Sequence, residues 1–235
     1  MENKVETLKE TLPIKAKPMQ YNVYFIADMH IHHKNILFHQ PNRVSKLNLK
    51  GGDDIKGMDE YIYDMWDKTV KRGDHVYLLG DVFLGNKVDA WKCIQKLKKK
   101  GANIHLIVGN HDKYIPQFYN QFASIDYVKK VTFKKNSFPF LDEDFKTCLC
   151  HYPMVSWPDK CRGAALIYGH VHSDYPFLDE ETGDLMVNAG FDAPLADCKL
   201  ISLEKVWKYF KEKRGDLTAE EYVKKIRKEN PKFVG

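Results

Sequence analysis

Five short apolar runs in this chain each stop at a residue able to bind metal. Asp28 and His30 follow YNVYFIA (21–27), and Gly80-Asp81 follows HVYLL (75–79). Gly109-Asn110-His111-Asp112 follows NIHLIV (103–108), His151 closes Phe145 to Cys150, and Gly169-His170-Val171-His172 closes Ala164 to Tyr168. Runs of this length are strand-sized, and helical periodicity separates the first of them, with Met58, Ile62, Met65, Trp66 and Val70 on one face. A chain that alternates buried strands with amphipathic helices is an α/β protein. In such a sheet the carboxyl ends of the strands open into the crevice where ligands bind. Glycine precedes three of the five ligand groups, which lets the backbone turn sharply there.

The rest of the pattern is coarser. Further helices are expected over Val88 to Leu97, near Tyr114 to Phe122 and from Leu203 to about Lys213. After them the chain turns β-rich, with strands expected over Tyr127 to Phe133, Leu185 to Asn188 and Lys199 to Ser202. Residues 1–19 read as a polar arm, 20–213 as one domain, and 214–235 as a basic tail whose Thr218 and Glu221 have capping-box spacing.

Composition excludes several classes. Of the 235 residues 43% are hydrophobic, enough for a full core, yet no apolar run approaches a membrane span. Charges are scattered through the first twenty residues, where a secretory signal needs an apolar segment, so a cytoplasmic protein is expected. Five cysteines without CxxC spacing fit reduced thiols. The net charge of +5 lies wholly in residues 205–235, which hold ten Lys/Arg and five Asp/Glu. The preceding residues balance at 27 of each sign, so the body lacks the basic surplus expected of a nucleic-acid binder.

The candidate ligands are carboxylates (Asp28, Asp81), an amide oxygen (Asn110) and imidazoles (His30, His151, His170, His172). Seven donors exceed the needs of one tetrahedral ion but suit two ions sharing a carboxylate. Manganese is the first expectation for that set, with iron, zinc or magnesium as alternatives. The order D-x-H, G-D, G-N-H-D, H, G-H-x-H resembles the calcineurin-like metallophosphoesterase superfamily. The likeness is closest to its small bacterial and phage members, through DMHIHHKNI (28–36), MDE (58–60), VYLLGD (76–81), GNHD (109–112), HYP (151–153), YGHVH (168–172) and NAG (188–190).

That resemblance implies a four-layer sandwich of two mixed β-sheets flanked by helices. It implies one ion on Asp28, His30, Asp81 and His172, and a second on Asp81, Asn110, His151 and His170, with Asp81 bridging. A hydroxide between the ions would attack a phosphate ester, with His111 as general acid and Asp112 orienting its imidazole. His33 and Asn35 match positions that either touch phosphate or cap a short helix. The expected partner is a small phosphorylated substrate, nucleotides among them, with a lean toward phosphodiesters; no membrane partner is expected. A nuclease and a catalytically silent scaffold of the same fold are the alternatives. The Asp-Arg-Gly of protein phosphatases is absent, since the second motif reads GDVFLG, and Ile31-His32 departs from the nearest subgroup. Those departures bear on substrate preference.

Overall fold

The computed structural model describes residues 21–174 and 178–229, so the expected N-terminal arm and the last residues of the tail lie outside the described residues. In chain order the elements are β1 (Val23–Ile26), α1 (Ile36–His39), α2 (Asn42–Lys46), α3 (Ile55–Thr69), β2 (His75–Leu78), α4 (Lys87–Lys98) and β3 (Asn103–Ile107). A 3-10 segment (Ile115–Gln121), β4 (Ser124–Asp126), β5 (Val128–Phe133) and β6 (Phe145–Cys150) follow. A one-turn 3-10 helix (Lys160–Arg162), β7 (Ala165–Tyr168), α5 (Leu178–Thr182), β8 (Met186–Asn188), β9 (Ile201–Ser202), α6 (Leu203–Arg214) and α7 (Ala219–Glu229) complete them.

Two mixed sheets result. The first has the order β4-β3-β2-β1-β9, parallel except for β9; the second has the order β5-β6-β7-β8, parallel except for β5. Period-two alternation sorts the strand side chains between layers. Phe25, Tyr77, Leu149, Ile167 and Val187 meet in the core between the sheets, joined by Val206, Trp207 and Phe210 of α6. The alternate residues Ile26, Val76, Leu78, Ile104 and Leu106 face Met58, Ile62 and Trp66 of α3 and Cys93, Ile94 and Leu97 of α4. On the outer face of the second sheet, Cys148, Cys150, Leu166 and Tyr168 pack under Trp157, whose indole N–H donates to Ala164 O (2.8 Å). Trp157 is thus part of the core. The expected architecture of two mixed sheets flanked by helices is the one observed.

Caps mark the long helices: Asp54 accepts from Gly57 N (3.1 Å), Asn86 from Asp89 N (3.0 Å) and Ser202 from Lys205 N (3.2 Å). The Thr218 and Glu221 capping box also forms, with Thr218 N donating to Glu221 (2.9 Å) and Glu221 N to Thr218 Oγ1 (3.3 Å). Helix α7 then packs on the body, burying Tyr222 and Val223 in the inter-sheet core.

Three details differ from the sequence pattern. The expected strand over Tyr127 to Phe133 forms as β5, but an unexpected short strand, β4, precedes it and pairs with β3, so that the chain changes sheets at Tyr127. The expected helix near Tyr114 is a 3-10 segment, with Pro at its start and Phe118 off helical geometry (φ −98°, ψ 39°). Helix α5 appears where none was expected.

The sheets are sutured where they matter for the site. Ala27 pairs with Gly190, its N–H donating to Ala189 O (2.8 Å) and its carbonyl accepting from Phe191 N (2.8 Å). That contact sets the carboxyl ends of β1, β2, β3, β6 and β7 around one rim.

Candidate metal centre

Past their last paired residues, the chains leaving β1 and β2 stay hydrogen-bonded to each other. Asp28 N donates to Gly80 O (3.0 Å), His30 N to Asp81 O (2.9 Å) and Ile31 N to Val82 O (3.0 Å). Five of the expected ligands sit in left-handed backbone on these turns: Asp28 (φ 56°), His30 (51°), Asp81 (52°), His170 (75°) and His172 (50°). Residues other than glycine rarely adopt that conformation, and each instance costs of order 1–3 kcal/mol. Strain concentrated on these residues marks a site that the surrounding fold enforces. Gly80 is part of the same device, with φ 90° and a position where a Cβ would collide with the His151 ring and Gly109 Cα. Gly80→Ala should therefore lower stability by about 1–3 kcal/mol and weaken metal uptake. Denaturant melts of the metal-free protein check this, and an unchanged midpoint would count against it.

The side chains gather into two groups of potential ligands, Asp28 with His30 and His172, and Asp81 with His151 and His170. Asp81 joins them. Its Oδ1 accepts from His111 N (2.8 Å), while its Oδ2 lies 3.7 Å from His30 Nε2 and 3.5 Å from His151 Nε2. Asn110 Oδ1 lies 3.0 Å from the same His151 nitrogen. The tautomer of His151 follows from its other side: Nδ1 is 2.8 Å from Leu79 O, a carbonyl that can only accept, so Nδ1 carries the proton. With the ring neutral, as a metal ligand must be, Nε2, Asn110 Oδ1 and Asp81 Oδ2 converge as three lone pairs. In the other group His30 Nε2 and His172 Nε2 lie 3.2 Å apart, and Asp28 Oδ1 is buried with no hydrogen-bond partner among the described residues. A buried carboxylate oxygen without a donor is costly, and a cation relieves that cost. The mixed oxygen and imidazole set, without thiolate, suits divalent ions such as Mn²⁺, Fe²⁺, Zn²⁺ or Mg²⁺.

The electrostatics fit a positive guest. Burial pushes the Asp28 carboxyl up to about 6. Burial also pushes His30 down to about 2, helped by His172 and Arg43, so its ring stays a neutral donor of electrons. For Asp81 burial works upward, but the hydrogen bond and charge of His151 and the His111 amide outweigh it and hold the carboxyl at about 2. Burial likewise opposes charge on His151, yet the nearby Asp81 and Asp28 raise its pKa.

The remaining expected residues fare differently. His111 stands at the rim, its side chain 41% exposed and its Nε2 4.0 Å from Asp81 Oδ2. Asp112 does not orient that ring. Its carboxylate accepts from the main-chain N–H groups of Asp81 (2.9 Å), Val82 (2.9 Å) and Gly109 (2.9 Å), and among the described residues it makes no hydrogen bond to the His111 side chain. It clamps the turns after β2 and β3 together; adjacency in sequence placed it beside His111 without fixing which way it faces. His33 has its ring centroid 5.2 Å from that of His30 and 6.0 Å from that of His111, and its buried Nδ1 has no partner among the described residues. Asn35 precedes α1 without a side-chain capping bond, and lines with His32, His33 and Asn86 an open cavity of about 440 Å³. Lys160, in the loop after His151, is held by Asp184 (2.8 Å).

Sequence reasoning missed Asp192, both of whose oxygens lie 3.3 Å from His172 Nδ1. A lone acid in the apolar run MVNAGFDAPLA was the available signal.

Comparison with known proteins bears on the family and the fold. The family profile described as calcineurin-like phosphoesterase matches residues 21–216. An uncharacterized protein of Methanocaldococcus jannaschii is 28% identical over 170 residues, covering 71% of this chain and 80% of that protein. The Gene 66 protein of Mycobacterium phage L5 is 23% identical over 192 residues, covering 73% of this chain and 87% of its own length. A solved structure of a protein of unknown function from Aquifex aeolicus superposes with a TM-score of 0.58 at 23% identity, covering 80% of this chain and 99% of that one.

Proposed function

This chain belongs to the calcineurin-like phosphoesterase family, and from that premise we propose that it is a hydrolase of phosphate esters, phosphodiesters in particular, with two divalent metal ions as cofactors. The observation that carries the reading is the single oxygen Asp81 Oδ2, which faces both His30 Nε2 (3.7 Å) and His151 Nε2 (3.5 Å) and so belongs to both ligand groups at once. Asp28, His30 and His172 would hold one ion, Asn110, His151 and His170 the other, and Asp81 both. When bound, such a pair supplies Lewis-acid activation of water and a clamp on the phosphate oxygens.

The protein's own part is positioning and proton delivery. His111 is exposed at the rim beside the shared oxygen, where it can protonate a departing alkoxide. The His33 ring stands at the same rim, 6.0 Å from that of His111, with its Nδ1 turned into the protein. The guanidinium hydrogen-bonded into the centre, that of Arg43, is fully buried and committed to main-chain carbonyls and Asp192. It is not free to meet the second negative charge of a monoester, which favours the diester reading. The silent-scaffold alternative draws no support from a chain whose expected ligands are all present and gathered.

The test is hydrolysis of an aryl phosphodiester and the matching monoester by chelator-stripped protein with Mn²⁺ restored. The expected result is negligible activity without metal, recovery on addition of Mn²⁺, and faster turnover of the diester. Equal or faster monoester turnover would overturn the diester preference, and inertness of the metal-loaded protein toward both would favour the scaffold.

A further inference from the structure

Arg43, in α2, is fully buried and spends its donors on the first ligand group. Nη2 donates to Asp28 O (2.7 Å), Nη1 to Met29 O (3.1 Å) and to the Met58 sulfur (3.7 Å), and Nε to Asp192 Oδ2 (3.0 Å). Its guanidinium lies 5.0 Å from the centroid of the Phe191 ring. Burying this charge is expensive, and filling the same space with an apolar side chain would be easier, so the contacts themselves ask for an explanation. Two of them fix the carbonyls of the two residues just before His30. The third fixes the carboxylate that faces His172.

His172 Nδ1 lies 3.3 Å from each Asp192 oxygen and 3.5 Å from Arg43 Nη2. A carboxylate accepts the Nδ1 proton, whereas a guanidinium can only donate and would drive that proton to Nε2. Both carboxylate oxygens are nearer to Nδ1 than Nη2 is, which at 3.5 Å stands at the outer limit of a hydrogen bond, so the carboxylate prevails and Nε2 is left bare toward His30 and Asp28. The second ligand group is built otherwise. His151 has its tautomer set by Leu79 O, a main-chain carbonyl that no side-chain substitution removes.

We propose that Arg43 and Asp192 act as a pair of positioning residues for the ion bound by Asp28, His30 and His172, and that the ion on Asn110, His151 and His170 does not depend on them. Asp192 fixes the His172 tautomer. Arg43 fixes Asp192 and the Asp28 to His30 main chain. The proposal rests on the two-ion reading above.

The experiment titrates metal-free wild type, Arg43→Met, Arg43→Lys and Asp192→Asn with Mn²⁺ alone, reading affinity by calorimetry and the spin state by electron paramagnetic resonance. Wild type should take up two ions and give a spin-coupled signal. In Arg43→Met and Asp192→Asn one ion should bind within about twofold of wild type and the other about 10–100-fold more weakly. The spectrum at intermediate Mn²⁺ should then be that of an isolated ion. Arg43→Lys, which keeps the charge but not the planar fork, should recover only part of the loss. Equal weakening of both ions, full recovery in Arg43→Lys, or unaltered binding in a variant that melts cooperatively would overturn the proposal. Should Arg43→Met not fold, the near-isosteric Asp192→Asn carries the same comparison. Fewer than two ions on wild type would contradict the two-ion reading itself, before any variant is compared, and would take this proposal with it.

Discussion

Asp81→Asn is expected to abolish activity while leaving the metal-free fold intact. The Asp81 Oδ1 accepts the His111 amide, and an asparagine oxygen can keep that bond. The amide nitrogen would then occupy the place of Oδ2, directing N–H groups at His151 Nε2 and His30 Nε2, where the carboxylate had offered a lone pair to both sides. Stability without metal should be unchanged or slightly higher, because an N–H there satisfies the His151 lone pair and one buried charge is gone. The bridging ligand is lost, so bound metal should fall from two ions to at most one. If the ions together contribute several kcal/mol to the transition state, at 1.36 kcal/mol per tenfold, kcat/KM should fall by about 10³-fold or more. Metal analysis beside steady-state kinetics reads both effects. A variant with two ions and near-normal rates would remove Asp81 from the bridging position.

His111→Ala should produce a different loss. The residue's contact with Asp81 Oδ1 is made by its main-chain N–H, which alanine keeps, so metal content should stay at the wild-type level. What disappears is the imidazole at the rim. General acid catalysis is worth about 10²–10⁴-fold when the leaving group is a poor one such as an alkoxide. A nitrophenolate departs without protonation, so the same variant should lose less than about 10-fold on a nitrophenyl ester. Comparing alkyl and nitrophenyl diesters separates the acid from a binding role. Equal losses on both substrates would mean that His111 binds phosphate rather than delivering a proton.

The parts of the fold visible in the sequence are those that local chemistry dictates. Strand ends were readable because buried strands are apolar and the ligands that interrupt them are polar, so Ile26, Leu78, Ile107 and Tyr168 each hand over to a ligand-bearing turn. Strand β4 and the sheet crossing at Tyr127 were not readable, since Ser124 to Asp126 holds one apolar residue and no Gly or Pro marks the change of sheet. Asp112 shows the limit of adjacency, its oxygens being absorbed by three main-chain amides rather than by the histidine beside it. Arg43 and Asp192 are 149 residues apart, and no periodicity or local motif connects them. Left-handed backbone at Asp28, His30, Asp81, His170 and His172 is equally invisible in the letters, because histidine and aspartate do not announce a positive φ as glycine does.

The central claim is a pair of ions sharing Asp81, and anomalous scattering from crystals of the Mn²⁺-reconstituted protein tests it most directly. The account predicts two peaks, one among Asp28, His30 and His172 and one among Asn110, His151 and His170, roughly 3.5–4 Å apart with Asp81 Oδ2 between them. A single peak, or two peaks with Asp81 bound to only one, would contradict it.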